Sequence, residues 1–277
     1  MLLALLSGCS TLRLAYNNGP QLGWWWLDGY LDFSGEQTPR VKQAIDRWFD
    51  WHRSTQILDY VPLLVAAQAQ VLEPVTPAMA CRWQQQWRDA LEPALERALQ
   101  MSADLVPSLG EAQWRYLEER FAKSNAEMRR DFLQPKPEAR LKASVKRVVE
   151  RAETLYGDLD EPQRRVIRTG VVVSPFDPQA WITEREHRQR DTVATLRRLA
   201  AERADHEHVV AALRTLVERV ERSPDANYRA YQQRLAEYNC AFAAQIHNAT
   251  SPAQRRVAHE RLKGWEEDLR TISASPR

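Results

Sequence analysis

Several features that would indicate a familiar activity are missing from this chain. Its 277 residues include 39 basic and 37 acidic side chains mixed along the sequence, so it lacks the basic face that binds nucleic acid. It has only 9 glycines, and neither Gly-rich phosphate-binding pattern, G-x-G-x-x-G or G-x-x-x-x-G-K-S/T, occurs. No internal run reaches the roughly 18 apolar residues that span a bilayer. Nucleic acid is therefore excluded as an expected partner.

Signals for β-strands are also scarce, which bears on catalysis. The only β-branched run is "GVVVS" (170–174), and it has no partner strand. There is no G-x-S-x-G motif and no sheet on which to mount a hydrolase nucleophile. Adjacent acids such as Glu118 and Glu119 point about 100° apart on a helix, which is typical of surface charge. We therefore expect no catalytic residues and no enzymatic activity.

A metal site is a further candidate, because Glu184-x-x-His187 has the spacing used by helical di-iron proteins. Such a site needs a second Glu-x-x-His and two more inward glutamates, and the nearest relative, Asp205-x-x-His208, is incomplete. Glu184 also lies among arginines, as expected of a solvated helix face. We therefore expect neither a metal nor a cofactor.

Apolar residues recur at helical spacing through almost all of the chain from residue 20 onward. Residues 35–56 and 77–104 are two examples, the second with Pro93 in its interior. The pattern predicts an all-α fold, an antiparallel multi-helix bundle or array of about nine to eleven helices. We expect residues 20–277 to form a single domain, with a possible subdomain break near 133–140 or 173–180, where prolines interrupt the pattern.

Three segments share a pattern that marks the start of a helix: "SLGEAQWRYL" (108–117), "LDEPQRRVI" (159–167) and "TSPAQRRVA" (250–258). Each begins with Ser, Thr or Asp, and places Gln shortly before basic and apolar residues. These are signals of a capping side chain followed by a first helical turn. Their spacing is too irregular for a solenoid.

The N-terminus carries a signal for location. Met1–Leu6 is apolar, and Leu6-Ser7-Gly8-Cys9 matches a bacterial lipobox, in which the cysteine is lipidated and becomes the mature N-terminus. We expect residues 1–8 to be a signal-peptide remnant, Cys9 to carry the lipid, and residues 9–19 to form a flexible tether. Because Ser10 is not acidic, the expected location is the periplasmic face of the outer membrane. The alternative is a free cysteine in a frayed, apolar N-terminus.

A lipidated Cys9 leaves two further cysteines, Cys81 and Cys240. The periplasm is oxidising, so these two could form a disulfide that closes a long loop. The alternative is two buried thiols that never meet, since cysteine is a common small core residue.

Ten tryptophans are many for a chain of this length. Trp24, Trp25 and Trp26 are consecutive, and on a helix they point over about 200°, so they cannot all enter one core. At least one is expected to face another subunit, a flexible tail or the bilayer surface, because indole suits a half-wet interface.

A second aromatic cluster, "WFDWHR" (48–53), is the other candidate interaction surface. Trp48, Trp51 and His52 fall on one helical face, whereas Arg53 points elsewhere. One interpretation is that the indoles fill a gap between helices while His52 hydrogen-bonds to a neighbouring helix. The other is a groove that binds a partner or a ligand.

Three stretches, "LSGCSTLRLAYNN", "WWWLDGYLDF" and "WFDWHR", together resemble DUF6279, a family of lipoproteins from Gram-negative bacteria whose function is unknown. The resemblance extends loosely through Gly157-Asp158-Leu159 to Gln163. Its main positions here are Cys9, Leu12, Tyr16, Asn17, Asn18, Trp25, Trp26, Asp28, Tyr30, Asp32, Gln37, Trp51, His52 and Arg53. The resemblance implies a secreted, lipid-anchored, helical protein, and it supplies no catalytic residues.

The leading hypothesis is a non-enzymatic binding protein of the cell envelope, attached to the membrane by its N-terminal lipid and partnered by another envelope protein. A second hypothesis rests on the Leu/Thr-x-x-Gln helix starts, which are similar to those of small periplasmic proteins of the Spy and CpxP type. It implies a chaperone or a modulator of envelope stress. A third is an envelope enzyme that acts on cell wall or lipid.

Overall fold

Helices account for nearly all of the described chain. The computed structural model describes residues 11–275, and no strand occurs in this range. The helices are α1 (Thr11–Asn17), α2 (Gly19–Leu31), α3 (Thr38–Trp51), α4 (Val61–Gln70), α5 (Pro77–Ala103), α6 (Glu111–Phe132), α7 (Pro137–Tyr156), α8 (Glu161–Val173), α9 (Pro178–Ala201), α10 (His206–Glu221), α11 (Ala226–Asn248) and α12 (Pro252–Ala274). The predicted all-α class is confirmed. The run "GVVVS" belongs to the end of α8.

Within the segment 9–19, for which the sequence predicts a tether, residues 11–17 form α1 and Gly19 begins α2. Asn18 separates α1 from α2, but its N–H donates to the Leu14 carbonyl (3.2 Å) and its own carbonyl accepts from the Leu22 N–H (3.0 Å). These two hydrogen bonds bridge the junction between the two helices. Cys9 lies outside the described residues.

The three predicted helix starts are real, but only α8 and α12 have a capping side chain, because α6 begins after Gly110. The structure adds a contact between the starts of α8 and α12. Gln163 and Gln254 each accept a hydrogen bond from the main chain of their own capping residue, Asp160 and Ser251, at 2.9 Å. The two glutamines also hydrogen-bond to each other at 2.6 Å. The cap of α8 is thereby joined to the cap of α12.

A second glutamine pair repeats this arrangement at the starts of α3 and α6. Gln113 caps Gly110 at 3.0 Å and hydrogen-bonds to Gln37 at 3.0 Å. Each glutamine also donates to the loop before the other helix: Gln37 to the Ser108 carbonyl (2.8 Å), and Gln113 to the Leu31 carbonyl (3.0 Å). Helix starts that are distant in sequence are therefore held side by side.

Buried apolar side chains gather where the helices meet. One cluster lies between α4, α7, α8, α11 and α12 and includes Ile167 and Ala258. Another joins the end of α5 to α9 and α10 around Val209, and a third joins α6 to α9 around Trp114. The stretches 133–140 and 173–180 contain the α6–α7 and α8–α9 connections. Because α4 packs on α12 and α5 packs on α10 and α11, helix pairs bridge both connections.

No helix between residues 11 and 275 is both long and apolar enough to cross a membrane.

Helices α5 and α11 are joined by a disulfide between Cys81 and Cys240, whose Cα atoms lie 5.2 Å apart. The two cysteines are separated by 159 positions in sequence. The bond therefore fixes an early helix to a late one, beside the main cluster.

Replacing Cys240 with Ser should lower the free energy of unfolding by about 2–5 kcal/mol, because a cross-link over so long a loop restricts the unfolded chain. Urea unfolding of the oxidised wild type and of Cys240→Ser measures the difference. A reductant should destabilise the wild type to a similar extent and leave the variant unchanged. Non-reducing peptide mapping that finds two alkylatable thiols at Cys81 and Cys240 would contradict the bond.

Candidate functional site

The residues of "WFDWHR" lie where the chain changes from one kind of helix to another. After α3, a π-helical turn spans His52–Gln56, and a 3-10 turn over Ile57–Tyr60 leads into α4. Such wide turns are frequent at functional sites, because they direct side chains that an α-helix would separate. Here the turn buries His52, Arg53 and Gln56 together.

His52 is held at both ring nitrogens and on one ring face. Its Nδ1 lies 2.9 Å from the hydroxyl of Tyr16 on α1, and its Nε2 lies 3.1 Å from the hydroxyl of Tyr60. Trp48 stacks on the ring, with the centroids 4.7 Å apart. The imidazole therefore joins α1 to the end of the 3-10 turn across the last turn of α3.

This chain of hydrogen bonds is uncharged near neutral pH. Burial lowers the pKa of His52 to about 4, because a buried imidazolium would lose its hydration. Burial, assisted by the charge of Asp59, raises the pKa of Tyr60 to about 12. A neutral imidazole has one donor nitrogen and one acceptor nitrogen, which match two hydroxyl partners.

Arg53 connects the N-terminal helix to the C-terminal helix. Its guanidinium donates to the Asn17 Oδ1 (2.9 Å), to the Ile272 carbonyl (3.0 Å) and to the Ser275 carbonyl (3.3 Å). The same group lies over the ring of Tyr16, 5.1 Å from its centroid. A cation at the carbonyl end of a helix is favoured by the helix dipole. Arg53 therefore caps the C-terminal end of α12 and also binds α1.

We call Tyr16, Asn17, His52, Arg53 and Tyr60 the N-terminal clamp. Each of the five makes at least one hydrogen bond to another of the five or to the main chain of the protein. Because both His52 nitrogens already have partners and burial disfavours protonation, the imidazole is poorly placed to accept a substrate proton. What the arrangement achieves chemically is the binding of α1 to the helical body.

Two further contacts hold α1 and α2 against the helical body. Arg13 forms an ion pair with the buried Asp268 of α12 at 3.1 Å. Gly19 lies against the ring of Phe49 on α3, where a Cβ atom would come within 2.4 Å of the ring. A glycine at the start of α2 therefore permits the close approach of the two helices.

The tryptophans of the two candidate clusters have different surroundings. Trp48 donates from its indole nitrogen to the Ala94 carbonyl on α5 (3.0 Å), and Trp51 lies beneath Arg97. These two indoles pack beside His52, between α3 and α5.

On α2, by contrast, the structure divides the Trp24–Trp26 triplet. Trp24 is buried and stacks on Phe33, whereas Trp25 and Trp26 are 61% and 64% exposed.

A second cluster of acidic, histidine and serine side chains lies near the start of α11. Glu184 accepts a 2.7 Å hydrogen bond from Ser223, and His187 lies 3.9 Å from the same carboxylate, beside a cleft of about 240 Å³. Ser223 is only 1% exposed, and its oxygen also accepts from the N–H of Asp225. A serine buried in this way stabilises the loop before α11 and is not accessible as a nucleophile.

A cleft of about 350 Å³ lies between α6 and α9. Charged residues, among them Glu118, Arg129 and Glu186, line it together with Phe121. Among residues 11–275, no group of three or more His, Cys, Asp or Glu is arranged to hold a metal ion.

The pattern of residues has a match among known families. A model of one family covers residues 29–229, most of the chain. The chain belongs to DUF6279. This is a family of unknown function, and the family predicted from three short stretches is thereby confirmed. No curated protein and no solved structure matches the chain.

The DUF6279 match contains three residues of the clamp, His52, Arg53 and Tyr60, and begins after α1. Sequence reasoning selected His52 and Arg53 but not their partners. Tyr16 and Asn17 were visible only as part of the family pattern. Tyr60 and the carbonyls at the end of α12 gave no sequence signal, because an ordinary tyrosine and two main-chain oxygens have no distinctive motif.

Stability should fall on acidification through His52. The unfolded chain binds a proton at this ring near pH 6.5 and the folded protein only near pH 4, so the stabilisation is present above pH 6.5 and lost as the pH falls toward 4. The loss should reach about 3 kcal/mol, and it should be absent from His52→Gln. Urea unfolding of both proteins at several pH values tests this. An NMR titration that shows His52 protonating near 6.5 would refute it.

Arg53→Ala should lower the free energy of unfolding by about 2–4 kcal/mol and expose α1, because buried acceptors lose a charged donor. Arg53→Lys should restore only part of the loss, since an ammonium cannot reproduce the guanidinium fork. Hydrogen exchange in residues 11–17 is the direct readout. Arg130→Ala, at a side chain that is 74% exposed, is the matched control. Unchanged exchange of α1 in Arg53→Ala would disprove the role of the clamp.

Proposed function

We propose that this DUF6279 protein is a lipid-anchored protein on the periplasmic face of the outer membrane, and that it works by binding another envelope component. The observation that carries the proposal is the N-terminal clamp. It fixes the segment that directly follows the lipobox cysteine to the body of the protein.

Little sequence separates Cys9 from the helix that the clamp holds. Only Ser10 separates Cys9 from the first residue of α1, and two residues of extended chain span at most about 7 Å. The clamp then holds Tyr16 and Asn17 against α3 and α12. A lipid at Cys9 would therefore keep the helical body close to the bilayer surface, in a restricted range of orientations.

The disulfide supports a compartment outside the cytoplasm. A bond between Cys81 and Cys240 is expected to form and persist in an oxidising compartment such as the periplasm. This agrees with a chain exported by a lipoprotein signal.

Binding is favoured over catalysis by how the polar side chains are used. The clamp residues stabilise helix packing, and Ser223 beside Glu184 is buried. The chaperone alternative depends on an apolar groove, and four of the nine residues that line the cleft between α6 and α9 are charged. Neither cleft gives specific support to the chaperone or the enzyme.

Replacing Cys9 with Ala should abolish the incorporation of fatty acid into the protein, because the acyl chains are attached at this cysteine. Replacing Ser10 with Asp should leave the protein membrane-bound but shift it from the outer to the inner membrane. Fractionation on a sucrose gradient and labelling with radioactive fatty acid measure both effects. Thr11→Ala, at an exposed neighbouring position, is the control. Unchanged fatty-acid labelling of Cys9→Ala would exclude the lipid anchor.

A further inference from the structure

The exposed face of α1 and the first half of α2 carries no charge. In the whole chain 27% of residues are charged. From residue 11 to residue 26 the only charged side chain is Arg13, which is partly buried against Asp268. The exposed residues of this segment are Thr11, Leu14, Ala15, Asn17, Asn18, Gln21, Leu22, Trp25 and Trp26.

Four large apolar side chains form a stripe along this face: Leu14, Leu22, Trp25 and Trp26, which are 59%, 47%, 61% and 64% exposed. Within α2 the helical period of 100° per residue places Leu22, Trp25 and Trp26 within an arc of about 100°, and Leu14 lies exposed on the preceding helix α1. We call these four residues the α1–α2 stripe.

The opposite face of the same segment is attached to the body. Tyr16 is bound by His52, and Trp24 is buried against Phe33 with Lys42 over its ring. The stripe therefore points away from the protein and cannot turn inward without breaking the clamp.

The composition of the stripe suits the interface of a bilayer. Indole rings prefer the boundary between headgroups and acyl chains, where one edge is apolar and the N–H is hydrated. Leucines on the same face add apolar area, and helices with such a face lie in the plane of the interface. The absence of exposed charge means that attraction to anionic lipid contributes little.

Position selects the bilayer over a protein partner. The described chain begins at Thr11, and Cys9 lies two residues before it, so acyl chains on Cys9 would enter the membrane next to Leu14. We infer that the α1–α2 stripe lies in the bilayer interface and fixes the orientation of the helical body on the membrane. The orientation rests on the proposed lipid anchor, whereas the affinity of the stripe for lipid does not.

Vesicle binding by the non-lipidated full chain, Cys9→Ala, tests the affinity separately from the anchor. The chain should sediment with vesicles of phosphatidylethanolamine and phosphatidylcholine, and raising the NaCl concentration should not release it. Adding Trp25→Gln and Trp26→Gln should weaken this binding about tenfold or more. The matched control adds Val172→Gln and Val173→Gln, which remove two valines of similar exposure (60% and 64%) from the end of α8. Equal binding by the two double variants, or no binding by Cys9→Ala itself, would overturn the inference.

A fluorescent label reports which face meets the lipid. In the Cys9→Ala chain, a bimane at Leu22→Cys should be quenched by nitroxide-labelled lipid several-fold more strongly than the same label at Val172→Cys. Equal quenching at the two positions would contradict the proposed orientation. The Cys9→Ala chain without an added cysteine controls for labelling of Cys81 and Cys240.

The alternative to the bilayer is that the stripe binds a second copy of the chain. Sedimentation equilibrium without lipid should show a monomer. A dimer that is lost on Trp25→Gln and Trp26→Gln would show that the stripe is a protein interface, and the inference would fail.

These results are separable from the test of the lipid anchor. If Cys9→Ala still incorporates fatty acid but binds vesicles through Trp25 and Trp26, the anchor at Cys9 fails and the stripe stands. If Cys9→Ala loses the fatty-acid label and shows no affinity for vesicles, the anchor stands and the stripe fails.

Discussion

The buried guanidinium of Arg53 is the interaction on which the N-terminal half of the architecture depends. A charged group with so little exposure is stable only when acceptors within the protein take most of its N–H donors. Its acceptors come from Asn17 at one end of the chain and from Ile272 and Ser275 at the other. The first and last helices of the described chain must therefore converge on the π-helical turn after α3, and α3 fixes where they meet.

The rest of the clamp converts that meeting point into a rigid attachment. His52 is neutral, stacked on Trp48 and hydrogen-bonded to two hydroxyls, so it joins α1 to the body without the cost of a buried charge. The clamp therefore sets the angle of α1 relative to the helical body. In the proposed function, a lipid at Cys9 and the α1–α2 stripe would share one membrane-facing side.

Paired glutamines solve a similar problem elsewhere in the fold. Each helix start has free N–H groups, and each preceding loop has free carbonyls. In each pair, a glutamine bonds to a main-chain group at the start of its own helix and also donates to a carbonyl that precedes the neighbouring helix. The pairs are Gln163 with Gln254, and Gln37 with Gln113. Polar side chains thus couple helices at their ends, while apolar clusters couple them along their sides.

The sequence by itself determined what depends on neighbouring residues. Apolar spacing specified helices, Asp160 and Ser251 specified where two of them start, and the consecutive tryptophans required that some indoles stay exposed. Only the tertiary structure decided how the helices pack. Arg53 contacts Asn17 and Ile272, which lie 36 and 219 positions away, and contacts over such distances leave no periodic signal in the sequence. Packing chose Trp24 for the interior and left Trp25 and Trp26 outside. It also made a helix of residues 11–17, where the sequence predicted a tether, since the partners that hold α1 lie in α3 and α12.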